Sequence, residues 1–417
     1  MCELFDEVER DLAAIRLPRW GRVDRTESVV PWLVVDDDGV VVEPIRRYLT
    51  EFVAQPNSPK SVRSYAYTLL RWWRWLRVVG VEWDKATPCE GRDLVLWLQQ
   101  AVKPRNTPRT RSVTTAGTIN PVTRKRYLGD RYGVRTIRHS NAVIRSFYEY
   151  WIEEGQGPLI NPIPLDRRGG RAHAHHNPLE PFHTEGRIRY NPKLPKQRPR
   201  EIPDDQWCDL FGVLRSNRDR ALLALTVSTA ARAEEVLGVN VADVDWGDQK
   251  VRVIRKGTRA EQWLPASPEA FVWLRLYVAD LGEPLDPNSP LWQTLRRRDR
   301  GDGLRRQPLN YEALRKVLTR ANEALGTNHS MHDLRHTAAL RMSRDEQLSL
   351  RDVQIILGHA HLSTTASVYL VEDEAEVIRR VQRHLAEREQ RQSQPPIEVG
   401  VGYDAADLTI LFGGTLS

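Results

Sequence analysis

The sequence has few cysteines and no long apolar run. Its three cysteines, Cys2, Cys89 and Cys208, are far apart in a chain of 417 residues, which argues against a disulfide framework and a cysteine-based zinc site. The longest uncharged apolar runs, residues 29–35 and 221–227, stop at seven residues, whereas a membrane-spanning helix needs about 20. The acidic N-terminus also lacks the basic and apolar regions of a secretory signal. We therefore expect a cytoplasmic protein of two or three domains with no membrane partner.

Acidic residues are scarce in the middle of the chain. The formal net charge of +7 divides into −5 for residues 1–41, +16 for residues 42–200 and −4 for residues 201–417. Between residues 103 and 138, ten Lys and Arg residues stand against a single acid, Asp130. A folded core gains little from such a concentration of like charge, so the middle third is expected to bind a polyanion such as nucleic acid.

Charge, proline content and periodicity divide the chain into five predicted segments. These are an acidic segment with a hairpin (1–41), a helical domain (42–160), a linker with seven prolines (161–200), a second domain (201–390) and a tail (391–417). The hairpin is predicted at residues 32–42, around an Asp-Gly turn. The tail carries an apolar patch at residues 408–412, which we expect to dock on another surface, either of the same chain or of a neighbouring copy.

Apolar residues at three- and four-residue steps predict a mainly helical protein. Ser58 and Pro59 supply the N-cap and first residue of a helix whose tryptophans are expected to pack in the core. These tryptophans are Trp72, Trp73 and Trp75. Further helices are predicted at residues 93–101, 138–151, 202–214, 219–238 and 310–390. Residues 250–265 predict a β-hairpin, so the expected fold class is mainly α with a small sheet (α+β).

Several short motifs contain residues suited to phosphate chemistry. Arg232 and Glu235 stand three residues apart on one predicted helical face, and alone they would be an ordinary ion pair. Lys256 lies at the tip of the predicted hairpin. His332 and Arg335 follow a capping box at the start of a helix, and the N-terminus of a helix favours an oxyanion or phosphate.

The histidines of this region also suggest a metal site. His332 and His336 have the spacing of metal ligands on a helix, with His359 and His361 downstream. No acidic general base lies between the first two histidines, and the intervening Arg335 would repel a cation. We therefore expect no bound metal, and we assign His336 and His361 structural or phosphate-adjacent roles.

The last motif ends a predicted helix at Gly358, continues with His359 and carries Tyr369 ten residues further on. In this order the motifs resemble the tyrosine recombinase, or phage integrase, family over roughly residues 44–390. That family is marked by Arg-x-x-Glu, a hairpin Lys, His-x-x-Arg, Leu-Gly-His and a nucleophilic Tyr. The sequence departs from the family pattern at two points. Ala230 stands where the family often has Gly, and the spacing from His359 to Tyr369 is one residue longer than the spacing frequent in the family.

The resemblance implies an enzyme that cuts and rejoins duplex DNA through a 3′-phosphotyrosyl intermediate, without a cofactor. It implies a two-domain DNA clamp, made of a helical-bundle core-binding domain and a catalytic domain, that works as a homo-tetramer on synapsed sites, with an accessory or directionality protein as a further partner. The implied active site consists of Arg232, Lys256, His332, Arg335, His359, the nucleophile Tyr369 and the supporting carboxylate Glu235.

The basic middle third supplies the candidate DNA contacts. Phosphate or groove contacts are expected from Lys60, Arg63, Arg71, Arg124, Lys125, Arg126 and Arg138.

Two other functions remain open from the sequence. A non-catalytic DNA-binding regulator could share the fold, although none of the implied active-site residues is missing. A type IB topoisomerase shares the phosphotyrosine chemistry, but the separate helical domain and linker favour a recombinase. Among recombinases, the integrase or transposase of a mobile element is the expectation, with a chromosome-dimer resolvase as the other role.

Overall fold

The computed structural model describes residues 10–104, 114–166, 186–195, 200–299, 301 and 303–359. The chain divides into two compact units, residues Met1–Gln197 and Arg198–Ser417. The described residues are mainly helical, with small antiparallel sheets of two or three short strands, which confirms the predicted α+β class. None of the helices described has the length and apolar character needed to cross a membrane.

In its described residues, the first unit has four α-helices and two small sheets. Its elements are β1 (Arg22–Arg25), β2 (Trp32–Val35), α1 (Glu43–Ala54), α2 (Pro59–Val79), α3 (Pro88–Gln100), α4 (Val134–Glu153), β3 (Leu165–Asp166) and β4 (Arg187–Ile188). The start of α2 is the predicted one, because the Ser58 side chain accepts a hydrogen bond from the backbone N–H of Ser61 and Pro59 is the first helical residue.

Strand β2 takes part in the predicted hairpin over a short length and pairs with a second strand as well. The Asp-Gly turn is present, with Gly39 at φ +85°; the N–H of Asp36 donates to the Val40 carbonyl and that of Val42 to the Val34 carbonyl, both at 2.9 Å, and a bridge joins Val35 to Val41. Along its whole length β2 also pairs with β1 upstream. The sequence of β1, Arg-Val-Asp-Arg, lacks the apolar run by which a strand is recognised, and for this reason the sequence analysis missed it.

The tryptophans of α2 lie in the core, as predicted. Trp72 and Trp75 are fully buried and Trp73 is nearly so. Trp73 makes an edge-to-face contact with Phe147 of α4, with ring centroids 5.4 Å apart. The indole N–H of Trp72 donates to the Tyr148 hydroxyl at 2.8 Å, and this hydroxyl donates to the Trp83 carbonyl at 2.7 Å. This buried chain of hydrogen bonds joins α2, α4 and the connection between α2 and α3.

The segment predicted as a linker contacts the first unit at several of its described residues. Ile163 is fully buried, and β3 pairs with β4 in antiparallel register. The side-chain amide of Asn141 donates to the carbonyl of Tyr190 at 3.3 Å. Gly91 on α3 lies so close to this segment that a Cβ there would be 2.1 Å from the Pro162 carbonyl oxygen. The proline-rich flanks thus pack on the helices.

The second unit packs its helices around α6 and a three-stranded sheet. Its elements are α5 (Asp204–Gly212), α6 (Asn217–Thr229), α7 (Ala233–Leu237), β5 (Val244–Asp245), β6 (Lys250–Ile254), β7 (Glu261–Pro265), α8 (Pro268–Leu281), β8 (Arg298–Asp299), β9 (Leu304–Arg305), α9 (Tyr311–Leu325), α10 (Met331–Arg344) and α11 (Leu350–Leu357). The antiparallel pairing of β6 with β7 confirms the predicted hairpin, and β5 adds a third strand. Residues 360–417, which include Tyr369, His361 and the tail, lie outside the described residues.

The single helix predicted over residues 219–238 is wrong, because the chain breaks between α6 and α7. Ala230 adopts a left-handed conformation (φ +53°) and is fully buried, and Arg232 is extended. No Gly or Pro marks this break in the sequence, so helix propensity alone continues through it. The tertiary structure instead uses the Ala230 carbonyl as a hydrogen-bond acceptor for Arg335.

We expect Tyr148→Phe to destabilise the first unit. The substitution keeps the ring but leaves the buried Trp72 N–H and Trp83 carbonyl without this partner, which costs about 2 kcal/mol. Urea denaturation of the whole chain, followed by tryptophan fluorescence, measures the change. Tyr67→Phe on α2 is the matched control, because Tyr67 is exposed, and it should leave the unfolding midpoint unchanged. Equal effects of the two substitutions would contradict the importance of the buried chain.

Candidate active site

A buried carboxylate, Glu235, lies at the centre of the candidate site. It accepts hydrogen bonds from the backbone N–H (2.9 Å) and guanidinium (2.8 Å) of Arg232, the N-cap residue, so its carboxylate caps the start of α7. It also accepts from the guanidinium of Arg255 at 3.0 Å and from the backbone N–H of Lys256 at 3.1 Å. One side chain thereby joins α7 to the end of the β6–β7 hairpin.

The contacts of Glu235 stabilise its charged form. Burial by itself would raise the pKa of this carboxyl group, but the backbone N–H groups of Arg232 and Lys256, the Arg232 side chain and the charge of Arg255 outweigh burial and hold the pKa below its ordinary value. Glu235 is therefore an anion at neutral pH, and it partly compensates two guanidinium groups of which one, Arg255, is also buried.

Helix α10 brings Arg335 to the same region from the other side of the unit. The helix begins at the predicted capping box, in which both the N–H and the hydroxyl of Ser330 donate to Asp333 at 2.7 Å. Arg335 is only 3% exposed. Its two terminal nitrogens donate to the carbonyls of Ala230 (2.5 Å) and Leu357 (2.8 Å), which fix the plane of the guanidinium.

His359 follows the end of α11 and contacts Arg335. Its Nε2 lies 3.4 Å from a terminal nitrogen of Arg335. A guanidinium has only donors, so Nε2 accepts in this contact and the neutral ring carries its proton on Nδ1. Partial burial, together with the charges of Arg335, Arg232 and Arg255, lowers the pKa of His359 to about 4. The ring is therefore neutral at physiological pH, and its pKa reflects three nearby cations.

Lys256 lies in the turn after β6, as predicted, with its amino group on the outside. The side chain is 61% exposed, and its ammonium lies 3.2 Å from the carboxylate of Glu234. Only the backbone N–H of Lys256 joins the buried cluster, through Glu235. An exposed ion pair of this kind contributes about 0–1 kcal/mol, so the lysine side chain can leave Glu234 at little cost.

His332 lies in the first turn of α10 and is exposed. Its ring is in edge-to-face contact with that of His336, with centroids 4.2 Å apart. Among the residues described, the structure thus places Arg232, Glu235, Lys256, Arg335 and His359 in one connected group, with His332 three residues before Arg335 on the same helix. The predicted nucleophile lies outside the described residues.

Arg255 is the cluster member that the sequence analysis missed. It is buried to 3% exposure and binds Glu235 at the centre of the site. The signal for it is the alternation of β6, in which Val251 and Val253 face the core and Ile254 faces outward. Continuing this alternation places the next residue inward, and an arginine at an inward position needs partners.

The candidate DNA contacts lie in the first unit and differ in exposure. Lys60 and Arg63 are exposed on α2, where the guanidinium of Arg63 lies over the rings of Trp32 (4.9 Å) and Tyr67 (5.6 Å). Arg71 is half-buried, and its guanidinium stacks over a tyrosine ring and donates to the Ser140 hydroxyl at 3.1 Å. Burial also lowers the pKa of Arg71. The side chain of Arg71 therefore has a role inside the helical group.

Arg138 is also partly engaged within the unit, because it donates to the Pro192 carbonyl at 3.2 Å.

The remaining candidates lie in a hydrogen-bonded turn between α3 and α4. Asn120 is fully buried, and its side chain accepts from the N–H groups of Val122 (2.9 Å) and Thr123 (2.8 Å). The backbone N–H of Arg124, which has φ +54°, donates to the Asn120 carbonyl at 3.0 Å. These bonds hold together the turn from which the side chains of Arg124 and Arg126 project as exposed groups, while that of Lys125 is half-buried.

We expect Glu235→Gln to destabilise the protein in a pH-dependent way. The folded-state pKa of Glu235 is lowered, so its contribution is present above the unfolded-state pKa of about 4.3 and is lost as the pH falls through the folded-state pKa. At pH 7 the loss should be about 3 kcal/mol, because Arg255 is left buried without its counter-charge. Urea denaturation followed by circular dichroism at pH 7 and pH 4 should show a difference from wild type that shrinks in acid.

Glu234→Gln provides the matched control, since this neighbouring carboxylate forms an exposed pair with Lys256. It should change the stability by less than about 1 kcal/mol. A loss of the same size for Glu234→Gln, or a Glu235→Gln difference that is constant with pH, would contradict the assignment of Glu235 as the buried anion of the cluster.

Comparisons with known proteins identify the second unit. Residues 202–376 match the model of the phage integrase family. Tyrosine recombinase XerC of Corynebacterium glutamicum is 31% identical over 182 residues, which cover 42% of this chain and 56% of that protein. Tyrosine recombinase XerA of Pyrococcus horikoshii is 26% identical over 188 residues, covering 45% of this chain and 62% of that protein. The chain thus spans little more than half the length of these curated relatives.

Other similarities extend over most of the chain. Transposase A from transposon Tn554 of Staphylococcus aureus is 21% identical over 374 residues, which cover 86% of this chain and 96% of the transposase. The solved structure of the Tn1549 transposon integrase, in complex with circular intermediate DNA, superposes with a TM-score of 0.53 at 11% identity and covers 81% of this chain and 98% of that chain, which shows a shared fold. Residues 202–376 contain the motifs in the expected order, and through this part the chain is similar to the phage integrase family, the tyrosine recombinases.

Proposed function

We propose that this protein is a site-specific tyrosine recombinase that cuts and rejoins duplex DNA through a 3′-phosphotyrosyl intermediate. One observation carries the proposal. Within the family domain, Arg232, Arg335 and His359 lie close enough for both arginine charges to depress the histidine pKa, and Glu235 ties this group to the hairpin that bears Lys256. Convergent cations that are held rigidly in a partly buried site suit a phosphodiester undergoing attack.

The two arginines would stabilise the phosphoryl group. In the transition state of phosphodiester cleavage, negative charge accumulates on the non-bridging oxygens, and guanidinium groups bind such oxygens through paired N–H donors. The guanidinium planes of Arg232 and Arg335 are already fixed by Glu235 and by two backbone carbonyls. Little reorganisation is then needed during the reaction, and removal of one such donor typically costs about 3–4 kcal/mol.

Tyr369 would supply the nucleophile. Its phenolic oxygen attacks the scissile phosphorus, the bond from phosphorus to the 5′-oxygen breaks, and the phenolic proton passes to His332. Because the phosphotyrosyl ester conserves the energy of the original bond, a second 5′-hydroxyl can reverse the step without ATP. The neutral ring of His359 would hydrogen-bond the phosphate, which accords with its low pKa.

Lys256 would protonate the departing 5′-oxygen. Its ammonium lies on a turn and pairs with Glu234 at an exposed position. The approach of a DNA phosphate competes with Glu234 for this ammonium, and the ion pair is weak enough to be exchanged. Lys256 could then reach the leaving oxygen as a general acid.

The first unit would hold the DNA. The segment of residues 42–200 carries a net charge of +16, whereas residues 201–417 carry −4. Arg63 and the turn at residues 120–126 present exposed cations, as phosphate contacts require. The affinity for duplex DNA should then come mainly from this segment and depend steeply on salt. In the two-domain clamp that we propose, the second unit contacts the cleavage site.

The similarity to two transposon proteins supports a role as the integrase or transposase of a mobile element. Strand exchange between two duplexes requires four cuts, so we propose a homo-tetramer with one protomer for each cut strand, acting on DNA in the cytoplasm. An accessory or directionality protein would complete the assembly. The C-terminal tail, with its apolar residues 408–412, is the segment proposed to dock on a neighbouring protomer.

A nicked suicide duplex tests the proposal. Cleavage near a nick releases a short fragment, so a tyrosine recombinase should accumulate a protein–DNA adduct that survives denaturant. We expect this adduct with the wild type and none with Tyr369→Phe, because the phenylalanine has no attacking oxygen. Tyr403→Phe, also downstream of the described residues, is the matched control and should form the adduct normally.

The possible outcomes of this experiment distinguish between the candidate functions. An adduct that persists in Tyr369→Phe would disprove the assignment of the nucleophile. DNA binding without any adduct would indicate the non-catalytic regulator. Relaxation of supercoiled DNA by single protomers, with no exchange between duplexes, would indicate topoisomerase chemistry.

Charge reversal in the turn at residues 120–126 tests whether this turn contacts DNA phosphates. The triple substitution Arg124→Glu, Lys125→Glu and Arg126→Glu should weaken binding and reduce the slope of log affinity against log salt by about 3, if each side chain contacts one phosphate. The control reverses the same number of charges at Arg19, Arg22 and Arg25, which are exposed in the acidic N-terminal segment. Fluorescence anisotropy at several salt concentrations measures both slopes. Equal slopes for the turn variant and the control variant would show that the phosphate contacts lie outside this turn.

A further inference from the structure

The last turn of α11 is held by side chains from three different elements. The carbonyl of Ile355 accepts from the Gln262 side chain of β7 at 3.0 Å, that of Ile356 from Arg255 at the end of β6, and that of Leu357 from Arg335 of α10 at 2.8 Å. The final carbonyls of a helix have no partner within the helix and form the negative end of its dipole. Two cations and an amide therefore satisfy three consecutive acceptors just before His359.

Arg255 is the only one of these side chains that also reaches the carboxylate Glu235. Its three nitrogens donate in three directions: to Glu235 at 3.0 Å, to the Gln262 side-chain oxygen at 2.8 Å and to the carbonyl of Ile356. Arg255 directly precedes Lys256 in the chain. The same guanidinium thus binds Glu235, which accepts from the backbone N–H of Lys256, and the helix end that precedes His359.

Close packing makes this connection rigid. A Cβ built on Gly358 would lie 2.9 Å from Nε of Arg255 and 3.2 Å from its Cζ, so the guanidinium lies directly against the backbone of Gly358. Gly358 has φ +61°, a left-handed conformation that ends the helix and turns the chain toward His359. The hairpin and the chain after α11 therefore cannot shift independently while Arg255 stays in place.

We infer that Arg255, with Gln262 as its partner, is a positioning residue that couples Lys256 to His359 and to the start of the segment that leads to Tyr369. The inference rests on the proposed function. In the cleavage step the tyrosine oxygen bonds to phosphorus while the 5′-oxygen leaves and takes a proton from Lys256. Both groups must be in place at the same moment, and Arg255 links the turn that bears Lys256 to the end of α11 and so to His359, the last described residue before Tyr369.

Arginine is required because its planar fork serves three acceptors at once. A lysine has a single nitrogen and could reach Glu235 or the Ile356 carbonyl, but it could not also keep the geometry toward Gln262. Arg255→Lys should therefore behave as a defective variant, with most of the loss of Arg255→Met. The positive charge of Arg255 alone therefore does not couple Lys256 to His359.

The test uses two suicide duplexes that differ at one atom. In the second duplex, sulfur replaces the bridging 5′-oxygen. A thiol has a pKa of about 8.5, far below that of an alcohol, so its anion leaves without a proton and needs no general acid. Rates of adduct formation are measured for the wild type and each variant on both duplexes.

We expect Arg255→Met to slow cleavage of the oxygen duplex about 1000-fold and cleavage of the sulfur duplex only about 10-fold. Misplacement of the general acid costs about 100-fold or more, and the sulfur duplex does not suffer this loss because its leaving group needs no proton. Gln262→Met should give a smaller defect with the same preference for sulfur. It leaves the contacts of Arg255 with Glu235 and Ile356, so it tests the idea even if Arg255→Met folds poorly.

Arg252→Met is the matched control. Arg252 lies on the same strand and is paired with Asp243 at 2.5 Å and Glu261 at 2.9 Å, without a bond to α11 among those described. It should cleave both duplexes at close to the wild-type rates. Equal losses on the two duplexes for both Arg255→Met and Gln262→Met, or wild-type rates for both, would overturn the coupling. A wild type that forms no adduct on either duplex would instead refute the proposed function, and the inference with it.

Discussion

The second unit depends on one buried carboxylate and the cations around it. Glu235 is almost completely inaccessible, and four hydrogen bonds keep it ionised there. A buried anion is costly unless it is paired, and so is a buried guanidinium such as that of Arg255. Each group is tolerated because of the other. Their pairing fixes the start of α7 and the end of β6, which in turn orients the half-buried Arg232 and the exposed Lys256.

Backbone carbonyls provide the second constraint. The helix break at Ala230 and the end of α11 both expose carbonyl groups, and Arg335 binds one at each place. A carbonyl has no net charge, so it orients a guanidinium without neutralising it. The site thus keeps a positive field, and partial burial together with this field lowers the pKa of His359. The first unit uses cations differently, since many of its charges lie on the surface and attract a polyanion at longer range.

Much of the fold followed from local patterns. Amphipathic spacing, the Ser58 cap and the capping box before Arg335 indicated helices, and the structure has them. The alternation in β6 indicated the hairpin. The failures have a common cause. The break at Ala230 and the pairing of β2 with β1 are decided by contacts with residues distant in sequence, and no local pattern reports such contacts.

The candidate site divides in the same way. The amino-acid sequence by itself determined the order of the motifs, and with it the resemblance to the phage integrase family, the types of the candidate reacting groups and the concentration of positive charge in the middle third. Only the tertiary structure decided which groups meet: that Arg255 belongs to the cluster, that Lys256 rests on Glu234, and that Arg71 is committed to packing. The reason is physical. Whether a charge is buried, and what it then binds, depends on elements brought together by folding from distant parts of the chain.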